Sequence, residues 1–490
     1  MTSSTVAVLL VVVTAYLYYR YNTLSSPLLL TGNTLDIPLT TPWITYTNWA
    51  RQYGNLMGLR ISGEGDVVII NSLDAARDLL ERRAQIYSDR PFSTMDDLGG
   101  WHFNVGSMPY SDGWRKHRRL FQQNFRPIAV QNFQQTQRRK IHDLVVNLVN
   151  GPDEYEKHVG AAMGAIVMST VYGHDKLQKN DPFIETAEKV SQMRGLFLIP
   201  GSSLSHFPSW LPGCDFQRTA QMCRGYTRAT QDEPFKFALE QTKRNSASSL
   251  VASLVERLGP QDPEYTSELE RIRNVAATSK SVILTFILAM TLNPLAQAKA
   301  QEEIDRVIGT QRLPDFTDRK DLPYVEAVYR ETARWYPTVP LGTPRRVVQT
   351  DMYDGYSIPE GEWTTIYPNI WAISRDETRF EDPDCFKPER VCPGRYMADA
   401  QVWMSMVSIL ATLKIEKGKD AKGNDVHVGV DYTDALICHP KHFQCSITPR
   451  MPNIRSFLRK LSNSSLLIMY AQIISTEIRE KEGNSLHAVR

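Results

Sequence analysis

The sequence predicts a mainly α-helical protein with small β-sheets. Several long segments carry apolar residues at helical spacing, few segments are β-rich, and there is no internal repeat. With 490 residues, 42% of them hydrophobic and 22% charged, the chain has the composition of a globular protein with a large core.

The elements of the N-terminal half follow from local patterns. Val67 to Ile70 is a β-rich run, and Leu73 to Ala84 has apolar residues at helical spacing. Asp112 to Val171 is helical with an interruption near Pro127, whereas Pro200 to Pro212 is rich in Ser, Pro and Gly and predicts a loop.

A long apolar segment, Ile272 to Leu292, opens the C-terminal half. It has no Pro or Gly, ends at Asn293-Pro294, and contains Arg273 and Lys280, which favours a buried core helix over a membrane span. Further on, the patterns predict helices at Ala296 to Val307 and Tyr324 to Tyr336, and short strands within Arg345 to Ile358 and Val428 to Ile447.

The N-terminus has the pattern of a membrane anchor. No charged side chain precedes Arg20, and Thr2 to Tyr19 would nearly span a bilayer as a helix. A cleaved signal peptide needs a basic region and a small-residue cleavage site, and neither is present. Because Arg20 follows the apolar run, we expect a signal anchor with the body on the cytosolic side.

Charge and cysteine usage narrow the function classes. Lys and Arg number 56 against 54 Asp and Glu, so the net charge of +2 gives no electrostatic reason to expect nucleic acid as a partner. The six cysteines form no C-x-x-C pair, which fits a reducing compartment. Two cysteines and two histidines between Cys438 and Cys445 match no standard zinc spacing, so residues of a strand pair are the favoured interpretation.

Three motifs could carry chemistry. Cys392 is followed by Pro393-Gly394 and a helical pattern, and backbone N–H groups at such a turn favour the thiolate that binds metal. Alone, a structural cysteine would be the simpler interpretation. The other two motifs are helical pairs that share a face, namely Glu331 with Arg334 at i, i+3, and Trp114 with Arg118 at i, i+4.

In this order the motifs resemble the cytochrome P450 family, and the long fungal microsomal members look closest. The resemblance covers roughly Pro27 to Arg450. It matches the family's E-x-x-R with Glu331 and Arg334, W-x-x-x-R with Trp114 and Arg118, R-x-C-x-G with Arg390, Cys392 and Gly394, and the propionate-binding arginine with Arg346.

The resemblance implies a cytochrome P450 fold with an N-terminal transmembrane helix. The expected divisions are an anchor at 1–20, a linker at 21–33, a haem domain at 34–450 and an atypical tail at 451–490. It also implies haem b with Cys392 as the iron ligand, NADPH and O2 as co-substrates, and insertion of one oxygen atom into an apolar small molecule, such as a secondary metabolite or xenobiotic.

The implied partners are an NADPH–cytochrome P450 reductase and the endoplasmic reticulum membrane, which the chain would cross once with its body facing the cytosol. The basic cluster Arg115 to Arg119 is a candidate docking patch for the reductase, although a solvated helix face explains its outward members equally well.

Two departures from the family pattern lie in its functional core. The family's central helix carries A-G-x-D/E-T-T, but here no glycine or acid occurs between Asn274 and Asn293, which leaves Thr278 as the candidate catalytic hydroxyl and Thr285 as the other interior threonine. In addition, Pro388-Glu389-Arg390 runs directly into the cysteine loop. Arg390 would therefore have to serve both the buried Glu331–Arg334 cluster and a haem propionate, and one side chain cannot do both.

These departures leave alternatives open. The leading hypothesis is a monooxygenase. The second is a non-catalytic truncated or splice-variant member of the same family with impaired haem binding, and the third is a haem protein for electron transfer or sensing. Segments that match the substrate-lining parts of the family are Asn104 to Ser111, Thr338 to Thr343 and Thr433 to Ile437.

Overall fold

The computed structural model describes residues 32–33, 36–38, 40–61, 65–101, 104, 106–125, 131–175, 181–196, 216–244, 249–253, 280–361, 364–389, 399–451 and 456. The helices are α1 (Pro42–Tyr53), α2 (Leu73–Arg77), α3 (Ala84–Tyr87), α4 (Thr94–Leu98), α5 (Asp112–Phe125), α6 (Gln134–Asn150), α7 (Tyr155–Tyr172), α8 (Pro182–Leu196), α9 (Phe216–Lys243), α10 (Lys280–Leu292), α11 (Pro294–Val307), α12 (Pro323–Trp335), α13 (Ile370–Ile373) and α14 (Asp399–Thr412).

Small sheets flank the helices. The strands are β1 (Leu56–Ile61), β2 (Gly65–Ile70), β3 (Arg345–Arg346), β4 (Asp351–Tyr353), β5 (Tyr356–Ile358), β6 (Thr365–Pro368), β7 (Leu413–Lys417) and β8 (Cys445–Pro449). One sheet has the order β1-β2-β6-β3, in which only β2 and β6 run parallel. The pairs β4–β5 and β7–β8 are antiparallel.

Sequence pattern explains the positions of the strands in the four-stranded sheet. Burial alternates along β1, which lies at an edge, so that one face packs inward and the other meets solvent. Val67, Val68, Ile69 and Ile70 of β2 are all buried because this strand is internal and covered on both faces. Strand β3 closes the other edge, and its two arginines are paired to Ile366 and Thr365 of β6.

The largest core cluster lies among α6, α7, α10, α11, α12 and α14. Helix α10 is buried on all sides, as expected for a helix that is apolar around its whole circumference. It ends at Leu292, and α11 starts at Pro294 with a bend of 106° between the two helices. The chain turns here because Pro294 cannot continue the hydrogen-bond pattern of α10.

The predicted helices at Ala296 to Val307 and Tyr324 to Tyr336 are confirmed as α11 and α12. The segment from Leu73 is less regular than predicted, because α2 ends at Arg77 and a π-helical turn, Asp78–Arg82, precedes α3. Of the predicted strand region Val428 to Ile447, only its end becomes β8.

Some predictions fall on residues 1–31, 197–215, 254–279 and 457–490, which lie outside the described part of the chain. They include the N-terminal anchor, the loop at Pro200 to Pro212, the first part of the long apolar helix and most of the tail. Within the described ranges no single helix combines the length and apolarity needed to cross a membrane, and only the bent pair α10–α11 meets those criteria jointly.

Candidate functional site

Helix α12 carries a buried ion pair. Its first turn begins at Pro323, and the N–H groups of Tyr324 and Val325 donate to the carboxylate of Glu303, which caps the helix. Glu331 is 0% exposed and Arg334 is 2% exposed, so both charges lie in the core. Burial at this depth requires that each charge be matched by partners.

The partners of Arg334 account for all five of its N–H groups. Nε and one Nη2 proton donate to the two carboxylate oxygens of Glu331, at 2.7 and 2.8 Å. The remaining protons go to the backbone carbonyls of the segment that follows α13, namely Ser374, Pro383 and Cys385. A guanidinium whose donors are all used in this way connects two segments of the same chain and has no donor left for a ligand.

The carboxylate of Glu331 also accepts the backbone N–H of Lys387 at 2.8 Å. The pair therefore fastens α12 to the segment that leads toward Cys392. Arg390, the third member that the resemblance implies for this cluster, lies outside the described residues, as do Cys392 and Gly394. One carboxylate and one guanidinium already balance each other here, so the described part of the cluster has no uncompensated charge.

Helix α5 presents a different arrangement. Ser111 precedes it, and the Ser111 hydroxyl accepts the N–H of Trp114 at 3.1 Å, as an N-cap does. Trp114 and Arg118 are partly buried on one face, while Arg115, Lys116 and Arg119 are exposed. The predicted face of Trp114 and Arg118 is therefore turned toward the protein.

Arg118 has no acidic partner among the residues that the structure describes, whereas exposed Arg115 pairs with Asp112. The Trp114 ring packs against Tyr110, with 5.0 Å between ring centroids. A partly buried guanidinium without a counter-charge is a donor set suited to an anion such as a carboxylate.

Strand β3 consists of two consecutive arginines, Arg345 and Arg346. The Nε of Arg346 donates to Asp89 Oδ2 at 2.6 Å, and a second guanidinium nitrogen contacts the same oxygen. The structure thus gives Arg346 a partner within the chain that the sequence did not predict. Its role as a haem contact stays a prediction, and this ion pair competes with it.

The adjacent Arg345 has no acidic partner in the described ranges, and burial lowers the pKa of its guanidinium. The family resemblance assigned the propionate contact to Arg346, although consecutive residues of a strand point to opposite faces and Arg345 could equally have been the arginine without an acidic partner. The partner Asp89 decides between them, and it is distant in sequence.

Helix α10 meets two loops at its described start. The Ser281 hydroxyl donates to the carbonyl of Cys438, and the Cys438 N–H donates to the carbonyl of Thr338 at 2.8 Å. One turn further along, buried Thr285 accepts the Tyr432 hydroxyl at 3.2 Å. The catalytic candidate Thr278 lies just before the described part of this helix.

Cys438 is buried and Cys445 is partly buried in the C-terminal part of the chain. Burial raises the pKa of the Cys438 thiol to about 11 and that of Cys445 to about 12, so both stay neutral near pH 7. No group of three or more His, Cys, Asp or Glu in the described segments could hold a metal ion. A cavity of about 660 Å³ between α1, β1 and β5 contains none of the predicted site residues.

The comparisons with known proteins settle the family. The family model for cytochrome P450 matches residues 23–395, a range that includes every predicted site residue. A cytochrome P450 monooxygenase of Coprinopsis cinerea, COX2, is 34% identical over 479 residues, with 89% of this chain and 90% of the relative covered. The chain belongs to the cytochrome P450 family.

Further relatives agree with this assignment. Cytochrome P450 monooxygenase 208 of Postia placenta is 33% identical, and the match covers 86% of this chain and 89% of the relative. A solved structure of a zebrafish cytochrome P450 with progesterone has a TM-score of 0.68 at 20% identity and covers 84% of this chain and 99% of its own, which confirms the fold. As a cytochrome P450 monooxygenase by family, the chain is an oxidoreductase of class EC 1.14, and the family implies haem iron.

The described residues fit a haem group. Its propionates are anions, and the face of α5 and the edge strand β3 offer Arg118 and Arg345, two cations without an acidic partner in the described segments. The indole N–H of Trp114 adds a donor suited to the same task. The remaining contacts that the family implies, those of Cys392, Gly394 and Arg390, belong to the undescribed segment.

Proposed function

We propose that this chain is a haem-thiolate monooxygenase that inserts one oxygen atom from O2 into an apolar small molecule. NADPH, through a reductase, would supply the electrons. The observation that carries the proposal is a difference between the arginines: Arg334 pairs with Glu331, whereas Arg118 and Arg345 have no acidic partner among the described residues. Haem iron held by a thiolate supplies the oxygen-activating chemistry when it is bound.

Each side chain then has a defined task. Cys392 is the axial ligand, with Gly394 allowing close approach of the backbone and Arg390 beside the cysteine loop. Trp114, Arg118 and Arg345 hold the propionates, and we propose Arg345 in place of Arg346 because Asp89 already neutralises Arg346. Thr278 is the proposed hydroxyl donor for protons, since the central helix lacks the family's acid.

Two sets of contacts support the assignment of the substrate-lining segments. Cys438 N–H binds the Thr338 carbonyl, so the segments Thr338 to Thr343 and Thr433 to Ile437 are joined at their ends. Tyr432 stacks on Tyr336 with 3.2 Å between ring centroids and reaches α10 through Thr285. Because these three elements converge, a small molecule held between them would lie against α10. A secondary metabolite or xenobiotic fits this apolar setting.

The partners follow from surface features. Arg115, Lys116 and Arg119 are exposed on α5 and could meet an acidic face of an NADPH–cytochrome P450 reductase. Met1 to Arg20 would anchor the chain in the endoplasmic reticulum membrane as a single pass, with the body in the cytosol. Deletion of Met1 to Arg20 should release at least part of the protein from microsomes, and complete retention would contradict this anchor.

The second candidate is a non-catalytic family member with impaired haem binding. The specific observation in its favour is the sequence of the central helix, in which no acid or glycine occurs between Asn274 and Asn293, together with the direct junction of Arg390 and the cysteine loop. A member of this kind would keep the fold and the closed α12 cluster but would bind haem weakly. A haem protein for electron transfer or sensing would show a haem spectrum without NADPH-driven product.

The test is the ferrous–CO spectrum of the full-length chain. We expect a thiolate-type Soret band that Cys392→Ala abolishes and Cys438→Ala, the matched control, leaves intact. Absence of haem from the unsubstituted chain would favour the non-catalytic candidate. Loss of the band in Cys438→Ala alone would show that the axial ligand was assigned to the wrong cysteine.

A further inference from the structure

Asp89 is a buried carboxylate that joins three segments. It is 3% exposed and lies between α3 and α4. Its Oδ1 accepts the backbone N–H of Tyr110 at 2.6 Å, and its Oδ2 accepts Nε of Arg346 at 2.6 Å. Its own backbone carbonyl accepts the N–H of Arg346 at 2.9 Å. Side chain and main chain of one residue therefore fix both the strand β3 and the segment before α5.

The contact between Asp89 and β3 determines which arginine of this strand faces away from the carboxylate. Successive side chains of a strand point to opposite faces, so a strand that turns Arg346 toward Asp89 turns Arg345 away from it. The neighbouring Arg90 strengthens this alignment, because its guanidinium donates to the Pro344 carbonyl at 2.7 Å. Arg345 is thereby left partly buried and without an acidic partner in the described part of the chain.

The contact with Tyr110 determines where α5 begins. Tyr110 immediately precedes Ser111, whose hydroxyl caps the helix through Trp114 N–H, and the Tyr110 ring packs on Trp114. A displacement of Tyr110 would move Trp114 directly and Arg118 through the helix. Asp89 thus sets the positions of the two cation-bearing elements relative to each other.

We propose that Asp89 is a positioning residue for the anion site formed by Trp114, Arg118 and Arg345. This inference rests on the proposed function, in which that site holds the haem propionates. Asp89 touches no ligand in this scheme. It acts by keeping Arg346 as its own counter-ion, since a buried carboxylate that lost its partner would be strongly destabilising.

The test uses single and double variants of the full-length chain: Asp89→Ala, Arg346→Gln, both together, and Arg345→Gln. Two quantities are measured for each, namely the rate of haem transfer to apomyoglobin and amide hydrogen exchange of peptides that cover residues 106–118 and 344–348. Arg83→Gln is the matched control, because Arg83 pairs with Asp351 of β4 at 2.6 Å and takes no part in the described contacts of Asp89 with Tyr110 and Arg346.

We expect Asp89→Ala and Arg346→Gln each to speed exchange in both peptides by about tenfold, the change that a loss of about 1.4 kcal/mol of local stabilisation produces. Haem transfer should accelerate by a similar factor. The double variant should be no worse than Asp89→Ala alone, because Asp89→Ala already removes the contact with Arg346 together with the contact to Tyr110 N–H. Arg345→Gln should speed haem transfer without changing exchange at residues 106–118.

Unchanged exchange at residues 106–118 in Asp89→Ala would overturn the proposal, as would fully additive effects of Asp89→Ala and Arg346→Gln on haem transfer. If Asp89→Ala does not fold, Asp89→Asn, which keeps an acceptor for Tyr110 N–H, gives the same comparison with a smaller change expected. The exchange readout does not require haem. A chain without any haem spectrum would refute the proposed function, while exchange would still decide whether Asp89 positions α5 and β3.

Discussion

Helices α12 and α5 both carry arginines on a face turned toward the protein, but they use them differently. On α12, Arg334 donates all five of its N–H groups to Glu331 and three backbone carbonyls. On α5, Arg118 has no acidic partner among the described residues. Arg334 therefore stabilises the fold, whereas Arg118 can bind an anion.

This contrast separates structural charges from ligand-binding charges within one molecule. The E-x-x-R and W-x-x-x-R motifs look alike in sequence, because each places two residues on one helical face. Only the count of satisfied donors distinguishes them. Strand β3 shows the same difference between neighbours, because Arg346 pairs with Asp89 whereas Arg345 has no acidic partner in the part of the chain that the structure describes.

The largest effect on stability should come from removing one partner of the buried Glu331–Arg334 ion pair. We predict that Arg334→Ala lowers the free energy of unfolding by about 3–5 kcal/mol, because it leaves the Glu331 carboxylate buried without a counter-charge. Urea denaturation followed by circular dichroism measures the change. The matched control is Arg330→Ala on the same helix, whose partly exposed pair with Glu326 should contribute roughly 0.3–0.5 kcal/mol. Equal effects of the two substitutions would contradict the structural role of Arg334.

The protonation of the partly buried His142 tests whether the protein interior tolerates an added positive charge. Burial, together with the positive charge of Arg138 and against the opposing effect of Asp315, lowers the pKa of His142 to about 4. The unfolded chain, with a histidine pKa of about 6.5, therefore binds more protons between pH 6.5 and 4. Stability should be complete above this window and fall as the pH drops through it.

We predict that His142→Gln makes this acid dependence shallower by up to about 1.4 kcal/mol per pH unit, the value for one proton. Urea denaturation at several pH values between 4 and 7 measures the slope. An unchanged slope would show that His142 is accessible to protons in the folded protein.

A smaller effect is expected where α10 meets the C-terminal loop. Tyr432→Phe removes one hydroxyl that donates to Thr285 and keeps the stacking on Tyr336. We predict a loss of about 0.5–1.5 kcal/mol in the free energy of unfolding, because one neutral hydrogen bond is lost. Tyr432→Leu, which also removes the stacking, should cost more. A Phe variant as destabilised as the Leu variant would assign the whole contribution to the hydroxyl.

Local sequence signals predicted much of the fold. Apolar spacing predicted α12 with its Glu331–Arg334 face, and the break at Asn293-Pro294 predicted the end of α10. The run Val67 to Ile70 predicted β2 because a strand buried on both faces is continuously apolar. Each of these features depends on residues within a few positions of one another.

The contacts that sequence did not predict are long-range. Asp89 and Arg346 are 257 positions apart, and no local pattern marks Asp89 as the partner of that arginine. The same holds for Tyr432 and Thr285, which are 147 positions apart. Alternation along β3 could have shown that Arg345 and Arg346 face opposite ways, but only the folded chain shows which face meets a carboxylate.

We assign Arg118 and Arg345 to the binding of an anion rather than to the stability of the fold. The direct test is the rate of haem transfer from the Arg118→Gln/Arg345→Gln double variant to apomyoglobin, compared with the unsubstituted chain. Each lost charged hydrogen bond is worth about 1.5–3 kcal/mol, so transfer should accelerate at least about tenfold while urea denaturation of the haem-free protein stays unchanged. A transfer rate equal to that of the unsubstituted chain, or a loss of stability like that of Arg334→Ala, would contradict the claim.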